Sequence, residues 1–497
     1  MPEAMIGLEI HIELNTRTKM FCACENRFGA LPNTLCCPVC LGLPGALPTV
    51  NQKAVELGVM AGIILHSEIQ LCSGFDRKQY SYPDLPKAYQ ITQFFRPLCK
   101  GGYIELDDKK RIRIREMHLE EDAGKLIHDS AGTLIDMNRC GVPLLEIVTE
   151  PDISSPADAR ACMIRLKELL VANGISDGKL QEGSMRADVN VSVRSENGCP
   201  GERIELKNVS GFRAVEHAAE YEIERQKELI AAGNTISRET RRWNEAKKCS
   251  ELQRKKENLL DYRYCPEPDL PCLWLTSDFV KHLSLSIQKD PKEIREEIVC
   301  FWGCTKKDAD YLYTHPSIAD FANETVKRCS NRKAVLNWVL NDCMTNARQR
   351  IKSQSFPGEN IPDSILKNPD EQTILSNFPS SDHLASVLSL IDENRISREN
   401  AQKALFISID IKEPMQVIID RQMLWKKEDD CLSCSQYRPI IEKMIDDHPL
   451  EVIAYQNGEK KLLSFFIGQA LNLLSGASPK VVRQILLEYL DHSDHSS

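Results

Sequence analysis

Residues 6–14 alternate without a break between aliphatic and polar side chains, and a period of two admits little other than a half-buried β-strand. Ile6, Leu8, Ile10, Ile12 and Leu14 fall on one face, while Glu9, His11 and Glu13 fall on the other. Residues 186–194 repeat the pattern, with Asp188, Asn190 and Ser192 lined up opposite the valines. Shorter strand candidates at 111–119, 144–150 and 203–207 each contain acids or end in them. The economical arrangement is an antiparallel sheet with one buried face and one chemically active face.

A chain of 497 residues is too long for one ordinary core. At roughly 100–200 residues per domain it holds about two to four. Up to about residue 285 strands mix with turns rich in Gly, Pro and Asp; beyond Asp290 the pattern is helical. The expected division is residues 1–290, a helical domain over 291–408 and a small helical tail over 409–497, an α+β chain. Ser155-Pro156-Ala157-Asp158 is a helix start, with a capping hydroxyl, a first-turn proline and an acid three residues on. Ala159, Met163, Leu166 and Leu170 make the buried stripe, and Gly174 is placed as the stop. Pro479 opens the final helix.

No apolar run approaches the roughly 20 residues that a membrane helix needs. The opening carries Glu3 where a secretion signal needs basic residues. The 19 cysteines are an odd number scattered along the chain, which argues for reduced thiols. The expectation is a cytoplasmic protein without a membrane. A net charge of −9 would repel a polyanion as a whole, so a nucleic-acid partner would have to be met by local basic patches. Lys327, Arg328, Arg332 and Lys333, with Arg348, Arg350 and Lys352 just beyond, give the helical part a basic character that the front half lacks.

Cys22-Ala23-Cys24 and Cys37-Pro38-Val39-Cys40 stand twelve residues apart across a turn-rich loop, a spacing that brings four thiolates within reach of one structural zinc ion. Four plain reduced thiols are the alternative, and Cys36 is a further ligand candidate. Glu9 and His11, the run Glu120-Glu121-Asp122, Glu150 and Glu205 form an acidic set. On one sheet face such carboxylates repel each other unless a hard cation sits among them, although acids at strand edges are often merely solvated. Residues 75–87 combine aromatics, basic groups and rigid turns, suited to gripping a polar or stacked ligand or to packing as a plain loop. No Walker loop, kinase glycine loop or dinucleotide fingerprint is present, so any ATP site is of another kind.

Several strings carry a resemblance. Gly7-Leu8-Glu9-Ile10-His11, Cys37-Pro38-Val39-Cys40-Leu41-Gly42, Phe75-Asp76-Arg77-Lys78 with Tyr82-Pro83-Asp84, and His118-Leu119-Glu120-Glu121-Asp122-Ala123-Gly124-Lys125 are similar to motifs of the B subunit family of the aspartyl/glutamyl-tRNA amidotransferases. Pro143-Leu144-Leu145-Glu146-Ile147-Val148-Thr149-Glu150, Glu182-Gly183-Ser184-Met185-Arg186, Glu205-Leu206-Lys207-Asn208 and Asp261-Tyr262-Arg263-Tyr264 continue the resemblance in the family's order. It implies an antiparallel-sheet, kinase-like cradle followed by a helical domain and a small helical tail that binds tRNA. It also implies an ATP- and Mg²⁺-dependent ligase component that phosphorylates the side-chain carboxylate of Glu or Asp mischarged on tRNA. Ammonia from a glutaminase (amidase) partner of the same amidotransferase would then displace the phosphate, with a small third partner completing the heterotrimer.

Carried over by position, the resemblance assigns Glu9, His11, Glu121 and Glu205 to magnesium. Glu120, Asp122, Glu150, Arg186 and Lys207 would surround ATP and the activated carboxylate, and Lys78, Tyr82 and Asp84 would lie nearer the path of ammonia. Cys22, Cys24, Cys37 and Cys40 match the zinc-binding version of the family. Gln253 and Cys265 depart from its usual Met and Phe, and residues 473–479 lack the tail lysines that would meet tRNA phosphates. A tRNA-binding scaffold without catalysis and a zinc-ribbon RNA binder are the rival readings.

Overall fold

The structure, a computed structural model, describes residues 4–107, 109–130, 132–194, 201–255, 262–354, 369–426, 432–456, 459–474 and 479–491. Residues 475–478, within the lysine-poor tail segment, lie outside them, as does Asp261 of the last motif. The chain divides into two compact units, Met1–Ile294 and Arg295–Ser497.

The first unit is built on a ten-stranded sheet. From one edge its order is Cys249–Lys255, Glu239–Asn244, Ile204–Val209, Met185–Val193, Ala4–Glu13, Pro143–Thr149, Arg111–Glu121, Cys99–Lys100 and Glu68–Ile69, with Tyr103–Glu105 also on Arg111–Glu121. The alternating strand Ala4–Glu13 is thus central, antiparallel to both neighbours. The sheet is not antiparallel throughout: Ile204–Val209 and Glu239–Asn244 run parallel. The helix Phe212–Ala231 between them is the crossover that a parallel pair requires.

Ile6, Leu8, Ile10 and Ile12 are fully buried, packed in one core with side chains of the helices Gln52–Ile64, Pro156–Ala172 and Phe212–Ala231. Burial of each such side chain is worth about 1.5–3 kcal/mol, and it fixes which face of every strand points away from the helices. Ser155 caps its helix as its sequence predicts, accepting from the Asp158 amide, and Gly174 follows the C-terminus with φ +65°. A register shift near Thr149 in the pairing of Pro143–Thr149 with Arg111–Glu121 reverses the inside–outside phase of the latter strand. Ile112 and Ile114 are buried before it, Met117 and Leu119 after it.

The described residues of the second unit form helices and their connections, with one isolated bridge between Ile396 and Trp425. Two separate cores hold them. One runs from Trp302 through Val339 and Leu388 to Ile419, the other from Ile441 through Phe466 to Leu490. No helix among the described residues is long and apolar enough to cross a membrane. The cysteines whose side chains are described are free thiols.

Candidate functional site

The face of the sheet turned away from the helices carries rows of polar side chains in register. Glu9 pairs across with Asp188, His11 with Arg186 on one side and Glu146 on the other, Asn190 with Glu205, and Glu146 with His118. Directly opposite residues share a face, so strand register alone gathers these groups.

Two metal-competent groups result, each with ligand atoms within 4.8 Å of one another: His11, Glu120 and Glu146, and Glu9, Asp188 and Glu205. His11 Nε2 stands 3.5 Å from Glu120 Oε1 and 3.7 Å from Glu146 Oε2. His118 Nε2 holds Glu146 Oε2 from the other side at 2.8 Å. Burial and the neighbouring Glu146 raise the pKa of Glu120, and burial with Glu146 and Glu205 raises that of Glu9. Carboxylates raised by each other's charge are those that a divalent cation relieves.

Cations of the protein already offset part of this charge. Burial would lower the pKa of Lys78, but Glu120 and Glu146 outweigh it and raise it. The Lys78 ammonium lies 5.1 Å from the centre of the Tyr262 ring and 6.0 Å from that of Tyr80. Lys207 Nζ is 3.0 Å from both Asp188 Oδ2 and Glu205 Oε1, and Thr240 donates to the other Glu205 oxygen at 3.1 Å.

Asp122 is buried and has both oxygens taken by guanidinium groups. Arg186 Nη2 donates to Oδ1 at 2.8 Å, Arg139 Nη2 to the same oxygen at 3.0 Å, and Arg139 Nε to Oδ2. Burial alone would raise the pKa of Asp122, yet Arg186 and Arg139 hold it well below the usual carboxylate range. Asp122 is therefore an ionised clamp that aligns two arginines, each with part of its side chain open to solvent.

Glu121, expected beside Glu9 and His11, lies apart from both groups. Adjacent strand residues point to opposite faces, so with Glu120 turned to His11, Glu121 turns away to meet Lys87 Nζ and the Ile91 amide. Glu150 is bound by Arg115 at 3.1 and 3.0 Å, outside both groups. Tyr82 is exposed, and the Asp84 carbonyl accepts from the Gly124 amide at 2.9 Å. Sequence reasoning assigns no site role to Glu146, Asp188, His118 or Arg139. For Glu146 and Asp188 a signal is present: both alternate with buried aliphatics on strands that the sequence pattern identifies.

Cys22, Cys24, Cys37 and Cys40 form a third group within the same 4.8 Å. The Cys22 thiol hydrogen-bonds to the Cys40 sulfur and pulls the pKa of Cys40 down to about 4. Lys19, fully buried, reaches Cys40 Sγ at 3.7 Å and donates to the Met137 carbonyl at 3.3 Å, while Cys140 Sγ donates to the Cys40 carbonyl. The cysteine loop is thereby tied to the turn that carries Arg139.

Two family models and full-length relatives match this chain. Residues 4–281 match the model of the GatB/GatE catalytic domain, and residues 320–490 match that of the GatB domain. The B subunit of the aspartyl/glutamyl-tRNA(Asn/Gln) amidotransferase of Caldicellulosiruptor saccharolyticus is 41% identical over 499 residues, covering 98% of this chain and 99% of the relative. Its counterpart in Thermoanaerobacter pseudethanolicus is 42% identical over 494 residues with the same coverage, and that of Thermodesulfovibrio yellowstonii is 38% identical over 494. The chain belongs to the B subunit family of the aspartyl/glutamyl-tRNA(Asn/Gln) amidotransferases.

Proposed function

We propose that the open sheet face activates the side-chain carboxylate of Glu or Asp mischarged on tRNA, as the kinase-like cradle of a heterotrimeric amidotransferase. A carboxylate is a poor electrophile until one of its oxygens becomes a leaving group. In the proposed step a carboxylate oxygen attacks the γ-phosphorus of ATP, the bond to the β-phosphate oxygen breaks, and ADP departs. Ammonia then attacks the carbonyl carbon, phosphate leaves, and the nitrogen sheds a proton to give Gln-tRNA(Gln) or Asn-tRNA(Asn).

The observation that carries this reading is the convergence of His11, Glu120 and Glu146 within 4.8 Å, next to Arg186 across the first strand. Raised carboxylates with an imidazole suit a hard divalent cation whose remaining positions go to phosphate oxygens and water, and the Glu9 group suits a second. Magnesium bound there would neutralise phosphate charge. Arg186 and Arg139, aligned by Asp122, hold N–H donors for the anionic oxygens of the transferring group. Lys207 and Lys78 keep the pocket's charge balanced. Four thiols with no carboxylate among them suit structural zinc, which holds the loop without taking part in the reaction.

Under this reading residues 1–290 carry the chemistry in the cytoplasm, residues 291–408 form a helical domain, and residues 409–497 bind tRNA. A glutaminase (amidase) partner supplies the ammonia, and a small third partner completes the enzyme. The test is trapping. The assembled enzyme with mischarged Glu-tRNA, ATP and Mg²⁺, but no ammonia source, is treated with hydroxylamine. Formation of the side-chain γ-hydroxamate, with release of phosphate and only when ATP is present, is expected; its absence while ATP is still consumed would contradict an acyl phosphate.

A further inference from the structure

Residues 262–275 lie antiparallel along residues 71–79 as a strap. The Gln79 amide donates to the Tyr262 carbonyl, the Glu267 amide to the Phe75 carbonyl and the Leu275 amide to the Leu71 carbonyl, each at 2.9 Å. Between these bonds Cys265–Pro266 pairs with Asp76–Gln79, and Leu273–Trp274 with Cys72–Ser73. The register sets Cys72 opposite Trp274. Cys272, two residues before Trp274, therefore falls on the same face as Cys72, at the diagonal position.

Arg96 joins the two sulfurs. Its Nη1 lies 3.1 Å from Cys272 Sγ and 3.8 Å from Cys72 Sγ, so the sulfurs are no further apart than the sum of those distances. The backbone of Arg96 is fixed, its carbonyl accepting from the Ser73 hydroxyl at 3.0 Å and from the Gly74 amide at 3.2 Å. Its side chain is exposed, and both cysteines are half-buried free thiols. A thiol is a weak acceptor, whereas a guanidinium bonds strongly to a charged sulfur. A cation held against sulfur thus favours the thiolate, the form that oxidants attack. Cys99 and Cys162 show the contrast: both are fully buried, and burial pushes their thiols up to about 12. Beside Cys272 opens a cavity of about 180 Å³, lined also by Arg96, Phe95, Glu267 and Leu270. A water takes about 30 Å³ of liquid volume, so a molecule with two oxygens fits there.

We infer that Cys272 is a thiol that reacts with hydroperoxides, activated by Arg96 and resolved by Cys72 into a reversible disulfide. The Cys272 thiolate attacks one peroxide oxygen, the S–O bond forms as the O–O bond breaks, and the other oxygen leaves with the proton that the thiol gave up. The sulfur is oxidised to a sulfenic acid and the peroxide is reduced to water or an alcohol. The Cys72 sulfur then attacks that of Cys272, the S–S bond forms as the S–O bond breaks, and hydroxide takes the Cys72 proton to leave as water. Diagonal neighbours across strands stand about 7–8 Å apart, and a disulfide spans about 4.4–6.8 Å between Cα atoms, so closure draws the strap inward by about 1 Å. The strap can yield there, because Leu273–Trp274 is a two-residue strand in a two-stranded sheet and Trp274 is exposed. The finished bridge staples the strap, and with it Tyr262, to the segment that leads into Lys78.

The assembled enzyme, reduced and then freed of reductant, is exposed to hydrogen peroxide, alkylated with iodoacetamide and mapped by mass spectrometry. Peptides joined through Cys72 and Cys272, and separated again by dithiothreitol, are expected. Both thiols still alkylated after peroxide, Cys272 joined to another cysteine, or Cys272 carried to the sulfonic acid with Cys72 free would each overturn the inference. Cys72→Ser is expected to stop the reaction at a sulfenic acid on Cys272, which dimedone labels; no label there overturns it as well. Arg96→Gln keeps the backbone contacts, which run through the carbonyl. It is expected to slow the loss of the Cys272 thiol by about tenfold or more while the half-buried Cys249 reacts as before. An unchanged rate at Cys272 overturns the activation by Arg96. Should a variant not fold, the disulfide map of the wild-type enzyme decides.

Discussion

His118 Nε2 lies 2.8 Å from Glu146 Oε2, the same oxygen that His11 Nε2 approaches at 3.7 Å. Burial by itself would lower the pKa of His118, but the charge of Glu146 and the hydrogen bond to it push it up to about 9. Burial would raise Glu146, and His118 followed by His11 holds it below the usual carboxylate range. The ion pair therefore contributes fully between the ordinary carboxylate and imidazole values. A histidine raised in the folded state gives stability that is complete below its unfolded value near 6.5 and is lost as pH rises through about 9. In metal-free protein the denaturation midpoint of the first unit should fall from pH 6.5 to 9. His118→Gln should flatten that slope, as urea titrations at several pH values would read.

Because both oxygens of Asp122 are occupied by Arg139 and Arg186, its expected contribution is alignment of the two guanidinium groups. Asp122→Asn keeps the shape and halves the acceptor capacity. It should reduce kcat by about 10²–10³, the usual cost of losing a preorganised electrostatic contact, with a smaller change in KM for ATP. Steady-state kinetics on the assembled enzyme measures this; a wild-type kcat would remove the arginine pair from the reaction.

The cysteine group predicts one zinc ion per chain by elemental analysis of protein purified without added metal. Cys37→Ser should lose that zinc and open residues 22–40 to protease, with the helical second unit unaffected. Since Lys19 and Cys140 tie the loop to the Arg139 turn, activity should fall as well, without zinc taking part in the chemistry.

Ile10 is fully buried in the strand that carries Glu9 and His11, while Ile127 is 39% exposed on a two-stranded ribbon. Ile10→Ala should cost about 2–5 kcal/mol, and Ile127→Ala no more than about 0.5 kcal/mol. Chemical denaturation of the two variants would compare them directly.

The central strand was legible because a period of two leaves one interpretation, and the Ser155 helix start because capping is local chemistry. What lies across strands was not. Nothing in the residues near Glu9 says that Asp188 and Glu205 will be its neighbours; sheet order decides that. The choice between Glu120 and Glu121 turned on strand phase. Arg111 to Arg115 alternate one way, and the register shift reverses the phase before Glu120. Counting one residue on from the buried Leu119 would have turned Glu120 to the polar face. Arg139 was invisible for another reason: it sits in a turn brought to Asp122 by contacts with a loop about a hundred residues earlier. The one parallel pair in the sheet was likewise set by the intervening helix rather than by either strand.

The most direct test of the central claim is ADP release by the assembled enzyme with Mg²⁺ and ATP, with mischarged Glu-tRNA present or withheld and no glutamine. Carboxylate activation on this sheet face predicts ADP release that requires the charged tRNA and is lost in Glu120→Gln and Glu146→Gln. Charged tRNA bound with no ADP released, or release undiminished in both variants, would contradict it.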